Sequence, residues 1–325
     1  MVGPAASPLS AAFLAGAAFL GQGGDLAAGQ GIAEAAGAIR RASATYGGCY
    51  GPGPFAAVSG GRSRYGSGSD ADVSGLSLMA GLSWGYDLDA GTLTLGAFVE
   101  HGSGSFATRN SFPDAGTVSG DGTVSYTGGG VLARMDFAGA GAGTFHSEAS
   151  FRAGRVRSEY SSDFAPAGGP GRTGYESSSG YFGLHLGVGY LMELSENASL
   201  DVYARYFWTR RQGDSVVIST GDRVEFMDSD SHRVRAGGRL SFRATDLFVP
   251  YVGAAYELET DGRQRAMAYG NEIESPSVKG GTAVGELGVA LVPGQDQPVS
   301  LELGLQGHAG TRDGWTGSFL MTVAF

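Results

Sequence analysis

Nine charged residues occupy segments in which the alternate positions are largely apolar. Carboxylate and guanidinium groups placed in this way are suited to ion pairing, and they lie on the face of the chain opposite the apolar side chains. The pattern predicts either a ladder of solvated charges or a specific network that grips another segment of the chain. The nine residues are Glu100, Arg134, Glu148, Arg152, Arg205, Arg233, Arg235, Arg239 and Glu286.

Other residues that could support catalysis or metal binding are scattered. The single cysteine, Cys49, has no partner for an internal disulfide and no metal-type spacing around it. No Ser/His/Asp arrangement can be recognised, so we predict neither an enzyme nor a bound cofactor. A net charge of −10 argues against nucleic acid as a partner. The histidines are His101, His146, His185, His232 and His308.

The segments that carry these charges alternate with a period of two, the repeat of a β-strand. Leu76, Leu78 and Trp84 share one parity, for example, and the residues between them are mostly small. Most links after odd-numbered segments are long (108–119, 161–172, 212–230 and 261–279), whereas those after even-numbered segments are short. The twelve predicted strands are 54–65, 72–87, 91–107, 120–138, 143–160, 173–193, 197–211, 231–244, 247–260, 280–293, 297–310 and 313–325.

The small-residue faces indicate where these strands lie. The exposed face of a soluble sandwich would favour Lys, Glu and Thr over the 58 glycines of this chain, whereas a membrane barrel places small and charged residues inside. Aromatic residues near the ends of the apolar faces suit interface girdles: Trp84, Tyr86, Tyr190, Tyr206 and Trp208. We therefore predict an all-β membrane protein, a twelve-stranded antiparallel up-and-down outer-membrane β-barrel with its short turns toward the periplasm.

The N-terminal segment differs from the rest of the chain. Residues 8–45 are rich in Ala and Gly and predict one or two helices interrupted near residues 21–24. A helix with small side chains on nearly every face suits a position in which it is closely surrounded, as in a barrel lumen. A loosely packed arm is the alternative. The apolar stretch 9–20 is too short to span a membrane and lacks the basic residues of a secretory signal, which we expect on a longer precursor.

The C-terminal strand has the clearest alternation. Phe319, Met321, Val323 and Phe325 share the apolar parity, and the chain then stops. The last strand of a soluble sandwich is one interpretation, but a barrel must close its last strand on its first. We expect the apolar set to face lipid and to form a C-terminal sorting signal. The predicted division is 1–53, linker and luminal helix, and 54–325, barrel.

Blocks of this sequence, in order, resemble the C-terminal translocator domain of bacterial autotransporters, the type V secretion proteins. The blocks include GAFVEHGSGSFAT (96–108), GGGVLARMDF (128–137), YFGLHLGVGY (181–190), LDVYARYFWTR (200–210) and VPYVGAAYE (249–257).

The resemblance implies a barrel that holds residues 25–45 as a luminal helix and carries an N-terminal passenger to the extracellular side. It also implies outer-membrane lipid and the barrel assembly machinery as partners, a monomeric barrel, and a sorting signal that ends at Phe325. Family members that release their passenger by Asn cyclisation do so at an Asn in the luminal helix, whereas the first Asn here is Asn110, in a predicted loop, so we do not expect this mechanism. A stand-alone porin-like channel is the alternative function.

Overall fold

The computed structural model contains sixteen strands within the residues it describes. Those residues are 7–43, 49–66, 70–112, 116–139, 143–163, 171–273, 276–292 and 299–323. The strands are β1 Cys49–Gly66, β2 Asp70–Leu88, β3 Gly91–Phe112, β4 Gly116–Phe137, β5 Gly143–Ser162, β6 Thr173–Ser195, β7 Ala198–Arg211, β8 Asp214–Val217, β9 Arg223–Phe226, β10 Ser229–Phe242, β11 Phe248–Glu259, β12 Ala266–Ala268, β13 Asn271–Ile273, β14 Gly280–Leu291, β15 Val299–Gly310 and β16 Arg312–Val323.

Twelve of these strands close into one antiparallel barrel. Each pairs with its neighbours in the order β1 to β7, β10, β11, β14, β15, β16, and β16 returns to β1 through the register Phe55 to Thr322 and Tyr65 to Arg312. Closure leaves no unpaired edge. The predicted twelve-stranded up-and-down barrel is confirmed.

The alternation along the strands is inverted relative to a soluble protein. Leu76, Val99 and Leu287 point outward with 55%, 67% and 58% of their surface exposed. The residues between them point into the barrel, where glycines, hydroxyls and charged groups are enclosed. The outer surface is therefore an apolar belt, and the lumen is polar.

A helix fills the lumen. It begins with α1, Ser7–Asp25, continues through a π-helical stretch, Leu26–Gly31, and ends with α2, Ile32–Ser43. The expected interruption near residues 21–24 is wrong, because the helix continues past these glycines and loosens only at the π-helical stretch. The luminal helix also begins earlier than the expected residue 25; residues 44 and 45 lie outside the described part of the chain. No helix among the described residues is long and apolar enough to cross a bilayer.

The barrel wall is taller on one side than on the other, because the strands differ in length. Strands β3 to β6 have 20 to 23 residues, whereas β11, β14, β15 and β16 have 12 each. The expected loop at 108–119 is wrong, because β3 and β4 stay paired up to Phe112 and Gly116. The alternation continues there with polar residues on the outer face, so the strands extend beyond the apolar belt.

Two of the predicted long loops fold into a lid on the low side of the wall. Strands β8, β9, β12 and β13 form a separate four-stranded sheet in the order β13-β12-β9-β8. Its buried side chains, among them Val216, Val224 and Phe226, join the same apolar cluster as Leu9 and Phe13 of α1. The lid therefore covers the N-terminal half of the helix.

Candidate functional site

The barrel wall binds the first half of the helix through its backbone. Tyr175 Oη donates to the carbonyl of Leu9 at 3.0 Å, and Arg211 Nη1 donates to that of Phe13 at 2.9 Å. Arg152 Nη2 donates to the carbonyl of Leu20. These oxygens already accept helical hydrogen bonds, and a carbonyl has a second lone pair for such a donor. Because the bonds reach carbonyls, they do not depend on the side chains of the helix.

Asp25 is the side chain that fixes the helix to the wall. Arg233 Nη1 and Arg235 Nη2 donate to its Oδ1 at 2.9 and 3.1 Å, and Arg312 Nη1 donates to its Oδ2 at 2.7 Å. Glu257 accepts from Arg233 and Arg235 at 3.2 and 2.6 Å. Three arginines thus surround two carboxylates, and this Asp25 clamp holds the end of α1 to β10, β11 and β16.

A second buried group lies beside Leu20. Arg152 Nη1 donates to Glu100 Oε2 at 3.0 Å, and Tyr181 Oη donates to Glu100 Oε1 at 2.7 Å. Tyr126 donates to Ser77 at 2.8 Å and packs edge to face against Phe19, with ring centroids 5.5 Å apart. Glu100 therefore orients Arg152 toward the helix, because both carboxylate oxygens are engaged.

The remaining predicted charges pair with one another along the inner part of the wall. Arg205 Nε donates to Glu148 Oε1 at 2.7 Å, and Arg134 approaches Glu148 at 3.5 Å. Arg239 Nε donates to Glu286 Oε1 at 2.7 Å. These ion pairs join wall residues to one another, and they include no side chain of the helix.

The nine predicted residues all point into the lumen and fall into three groups. Arg233 and Arg235 bind Asp25, Arg152 with Glu100 binds the helix backbone, and the other five form the pairs on the inner wall. Three of the nine, Arg152, Arg233 and Arg235, therefore bond to the helix directly, and the inner pairs lie within the wall, where the Glu148 side chain is 2% exposed.

Sequence reasoning missed four charged residues of the site, and it also missed the tyrosines Tyr126, Tyr175 and Tyr181. Asp25 is an acidic side chain in a helix of small residues, a signal that was available. Arg211 shares the parity of Arg205 on β7, and Glu257 lies on a small-residue face of β11. Arg312 was outside the predicted strand 313–325, although it is the first residue of β16.

Close approach explains two glycines of the helix, Gly23 and Gly31. A Cβ on Gly23 would lie 2.2 Å from Tyr126 Oη, and one on Gly31 would lie 2.1 Å from Met79 Cε. The wall thus touches the helix backbone at these positions. A larger residue at either position would have to displace the side chain of Tyr126 or Met79.

The other predicted residues lie apart from this site. Phe319 and Met321 face outward, 40% and 38% exposed, whereas the side chain of Val323 and the whole of Phe325 lie outside the described residues. His146 is bonded to Asp201 at 2.9 Å and His232 to Tyr206 at 2.7 Å. In the described part of the chain, no cluster of three or more His, Cys, Asp or Glu is arranged to hold a metal ion.

A closed barrel with an apolar outer belt, a polar lumen and a helix inside it defines a class, the outer-membrane β-barrel with a plugged pore. The family model for the autotransporter beta-domain matches residues 54–306. The chain belongs to this family, and it is an integral outer-membrane protein.

Solved structures of translocator domains share this fold. The transport unit of AIDA-I from Escherichia coli is similar with a TM-score of 0.67 and 14% identity, covering 84% of this chain and 90% of that one. The beta domain of Bordetella BrkA gives 0.59 and 19% identity over 84% and 99%. The translocator domain of NalP from Neisseria meningitidis gives 0.58 and 15% identity over 93% and 99%. No curated protein matches the sequence.

Proposed function

We propose that this chain is the outer-membrane translocator domain that anchors an N-terminal passenger and helps to carry it to the cell surface. The helix from Ser7 to Ser43 is then the segment of the transported polypeptide that stays in the pore. Family membership supports the transport function.

The direction of the helix is the observation that carries this proposal. Leu9 and Phe13 lie under the lid at the rim of the long strands, where Tyr175 and Phe226 enclose them. At the opposite rim, Ser83 Oγ donates to the carbonyl of Ala35 at 3.1 Å, and α2 leads toward the start of β1. The N-terminal end of α1 therefore faces the long-strand side, which is the extracellular side of such barrels.

A two-tag experiment tests this topology. A protease-sensitive reporter is fused before Met1, and a matched epitope is inserted in the short turn between Asp89 and Ala90. In intact cells, added protease should remove the reporter and leave the epitope intact; after permeabilisation both should be cut. A protected reporter with an accessible epitope would contradict the proposed orientation.

The porin-like alternative is less well supported. An open channel needs a free bore, and here the helix occupies the lumen and is bonded to the wall along α1. Transport units of this family are not enzymes, and we extend that statement to this chain. The histidines in the described residues lie in separate surroundings, which supports the extension.

We propose further that the barrel assembly machinery recognises the C-terminal end of the chain. Phe319, Met321, Val323 and Phe325 share one parity of the strand that must find β1 during closure. Outer-membrane lipid contacts the apolar belt, and the closed barrel acts as a monomer. The division into 1–53, linker and luminal helix, and 54–325, barrel, belongs to the same proposal.

Removing Phe325, or replacing it with Asp, tests the sorting role. The amount of folded protein in the outer membrane should fall, measured by fractionation. The unfolding midpoint of refolded protein should change little, because a charge at the barrel rim costs only about 0–1 kcal/mol. Normal yield with a large loss of stability would show that Phe325 is a packing residue.

A further inference from the structure

The outer border of the apolar belt is chemically unusual on β3 to β6. On β5 the outward residues run from Phe145 through Phe151 to Ala153, and the next two outward residues are Arg155 and Arg157. The belt therefore ends in two cationic side chains, two residues apart on one face of one strand.

The nearest carboxylates, Glu159 and Glu176, lie one step further out on the same face, and neither is bonded to Arg155 or Arg157. The register places Thr127 and Gly180 beside Arg155, and Ser125 and Ser178 beside Arg157. Beyond Thr127 lies His101, whose ring Nδ1 is 2.9 Å from the Thr127 hydroxyl. We call Arg155, Arg157, Ser125, Thr127 and His101 the basic border patch; it offers cationic groups and hydroxyls together.

Arginines elsewhere along the same border are neutralised. Arg62 and Arg64 on β1 approach Asp72 at 3.5 and 3.1 Å, and Arg210 on β7 approaches Asp228 at 2.5 Å. Within the described residues, Arg155 and Arg157 have no hydrogen-bond, ion-pair or ring partner. The patch thus holds two positive charges that are free of ion pairs where the protein surface passes from hydrocarbon to water.

An apolar groove lies below the patch on the same wall. It has a volume of about 630 Å³ and is lined by small residues, such as Ala133, Ala149 and Ala204, and by larger ones, such as Leu186 and Val234. Ala149 lies six positions before Arg155 on β5, a distance of roughly 20 Å along the strand. With the strand tilt of such barrels, that is about 15 Å in depth, or half of a hydrocarbon core.

We propose that the basic border patch and the groove together bind one phosphate-bearing lipid of the outer leaflet. Arg155 and Arg157 donate charge-assisted hydrogen bonds to the phosphate, and the hydroxyls of Ser125 and Thr127 add further donors. An acyl chain passes over Phe151 and Phe182, whose rings are 6.5 Å apart, and enters the groove. This site rests on the membrane placement of the barrel and is independent of passenger transport.

Binding of diphosphoryl lipid A to the delipidated full-length chain in detergent tests the site. Native mass spectrometry counts the bound lipid, and a titration gives its apparent affinity. The double variant Arg155→Gln/Arg157→Gln should bind roughly tenfold more weakly, whereas Arg155→Lys/Arg157→Lys should keep most of the affinity. Arg62→Gln/Arg64→Gln, a matched exposed pair already bonded to Asp72, should bind within about twofold of the native chain.

Three further measurements separate the parts of the proposal. Ala149→Phe should fill the groove and weaken lipid A binding without removing the phosphate contacts. Inorganic phosphate at millimolar concentration should not displace the lipid, and dephosphorylated lipid A should bind as weakly as the glutamine double variant does. Band shifts on unboiled gels establish that every variant is folded.

Two results would overturn the assignment. Equal weakening in both arginine-to-glutamine pairs would reduce the effect to general surface charge. Displacement by inorganic phosphate would show a simple anion site that does not distinguish a lipid.

Discussion

The two halves of the luminal helix are held in different ways. Around α1, the wall directs its polar side chains to the helix: Tyr175, Arg211 and Arg152 bind carbonyls, and three arginines bind Asp25. Around α2, the helix packs on an apolar surface that includes Phe55, Phe98 and Leu132. There the charges of the wall pair with one another.

Burial follows the same division. The side chains of Arg152 and Arg233 are 4% and 9% exposed, whereas that of Arg239, in the inner group, is 27% exposed. Without the helix, the three buried arginines of the Asp25 clamp would share only Glu257, so the clamp depends on its helix partner. Around α2, the ion pairs join wall residues to one another, so they remain whether or not the helix is present. We infer that the polar contacts of α1 set the depth of the helix in the barrel, whereas α2 is held mainly by apolar packing.

Deleting residues 1–45 should have the largest effect. The helix, with a diameter of about 10–12 Å, would no longer fill the bore. Single-channel conductance in planar bilayers should therefore rise severalfold over that of the full chain. A deletion variant with unchanged conductance would show that the segment does not block ions.

Asp25→Ala should come next. It leaves Arg233, Arg235 and Arg312 with Glu257 as the remaining carboxylate of the clamp, and removing one partner of a buried ion pair costs about 3–5 kcal/mol. Thermal unfolding should occur at lower temperature, and conductance should show openings absent from the full chain. A variant with an unchanged unfolding temperature and no additional channel openings would mean that the carbonyl contacts alone position α1.

A matched pair of glycines sharpens the comparison. Gly23→Ala would drive a Cβ to 2.2 Å from Tyr126 Oη, whereas at Gly29 no atom lies within 4 Å of the added Cβ. Overpacking typically costs about 1–3 kcal/mol, so Gly23→Ala should lower the unfolding midpoint. Gly29→Ala should leave it equal or slightly higher, since Ala favours a helix. Equal losses in both variants would show that the contact with Tyr126 does not set the cost of the substitution.

Glu286→Gln probes the inner wall. Arg239 keeps Glu302 as a second partner at 3.5 Å, and the pair is partly solvated, so we expect a loss of about 1 kcal/mol. Conductance should match the native chain, because no helix contact changes. Openings like those of Asp25→Ala would show that the inner wall also holds the helix.

Low pH should have the smallest effect of these changes, and it should act on the stability of the lid. The Gly213 N–H and the Arg210 guanidinium hold the pKa of the Asp228 carboxyl below its usual range. The stabilisation is therefore present above the ordinary Asp pKa and is lost as the pH falls through the lowered value. Hydrogen exchange of residues 212–228 should speed up at low pH, and Asp228→Asn should have faster exchange already at neutral pH. An acid response that persists in this variant would exclude Asp228 as its origin.

The sequence by itself determined the architecture. An alternation that continues over twelve segments can bury its small, charged face only by closing around it, because the opposite face is apolar. The parity of Leu76 and Trp84 therefore sets which way every neighbouring residue points. The same alternation placed all nine charged residues on the inner face without any knowledge of their partners.

The tertiary structure alone decided which charges meet. Asp25 and Arg312 are 287 positions apart, and no periodicity in either segment relates them; their pairing depends on how deep the helix sits in the closed barrel. Gly23 shows the same limit. Glycine destabilises an isolated helix, but this helix is pressed against Tyr126, and at Gly23 a side chain would clash with it. The two extended loops became a lid for the same reason. Their short strands bury apolar side chains against each other, the top of α1 and wall residues such as Tyr175, a surface that exists after the barrel has closed.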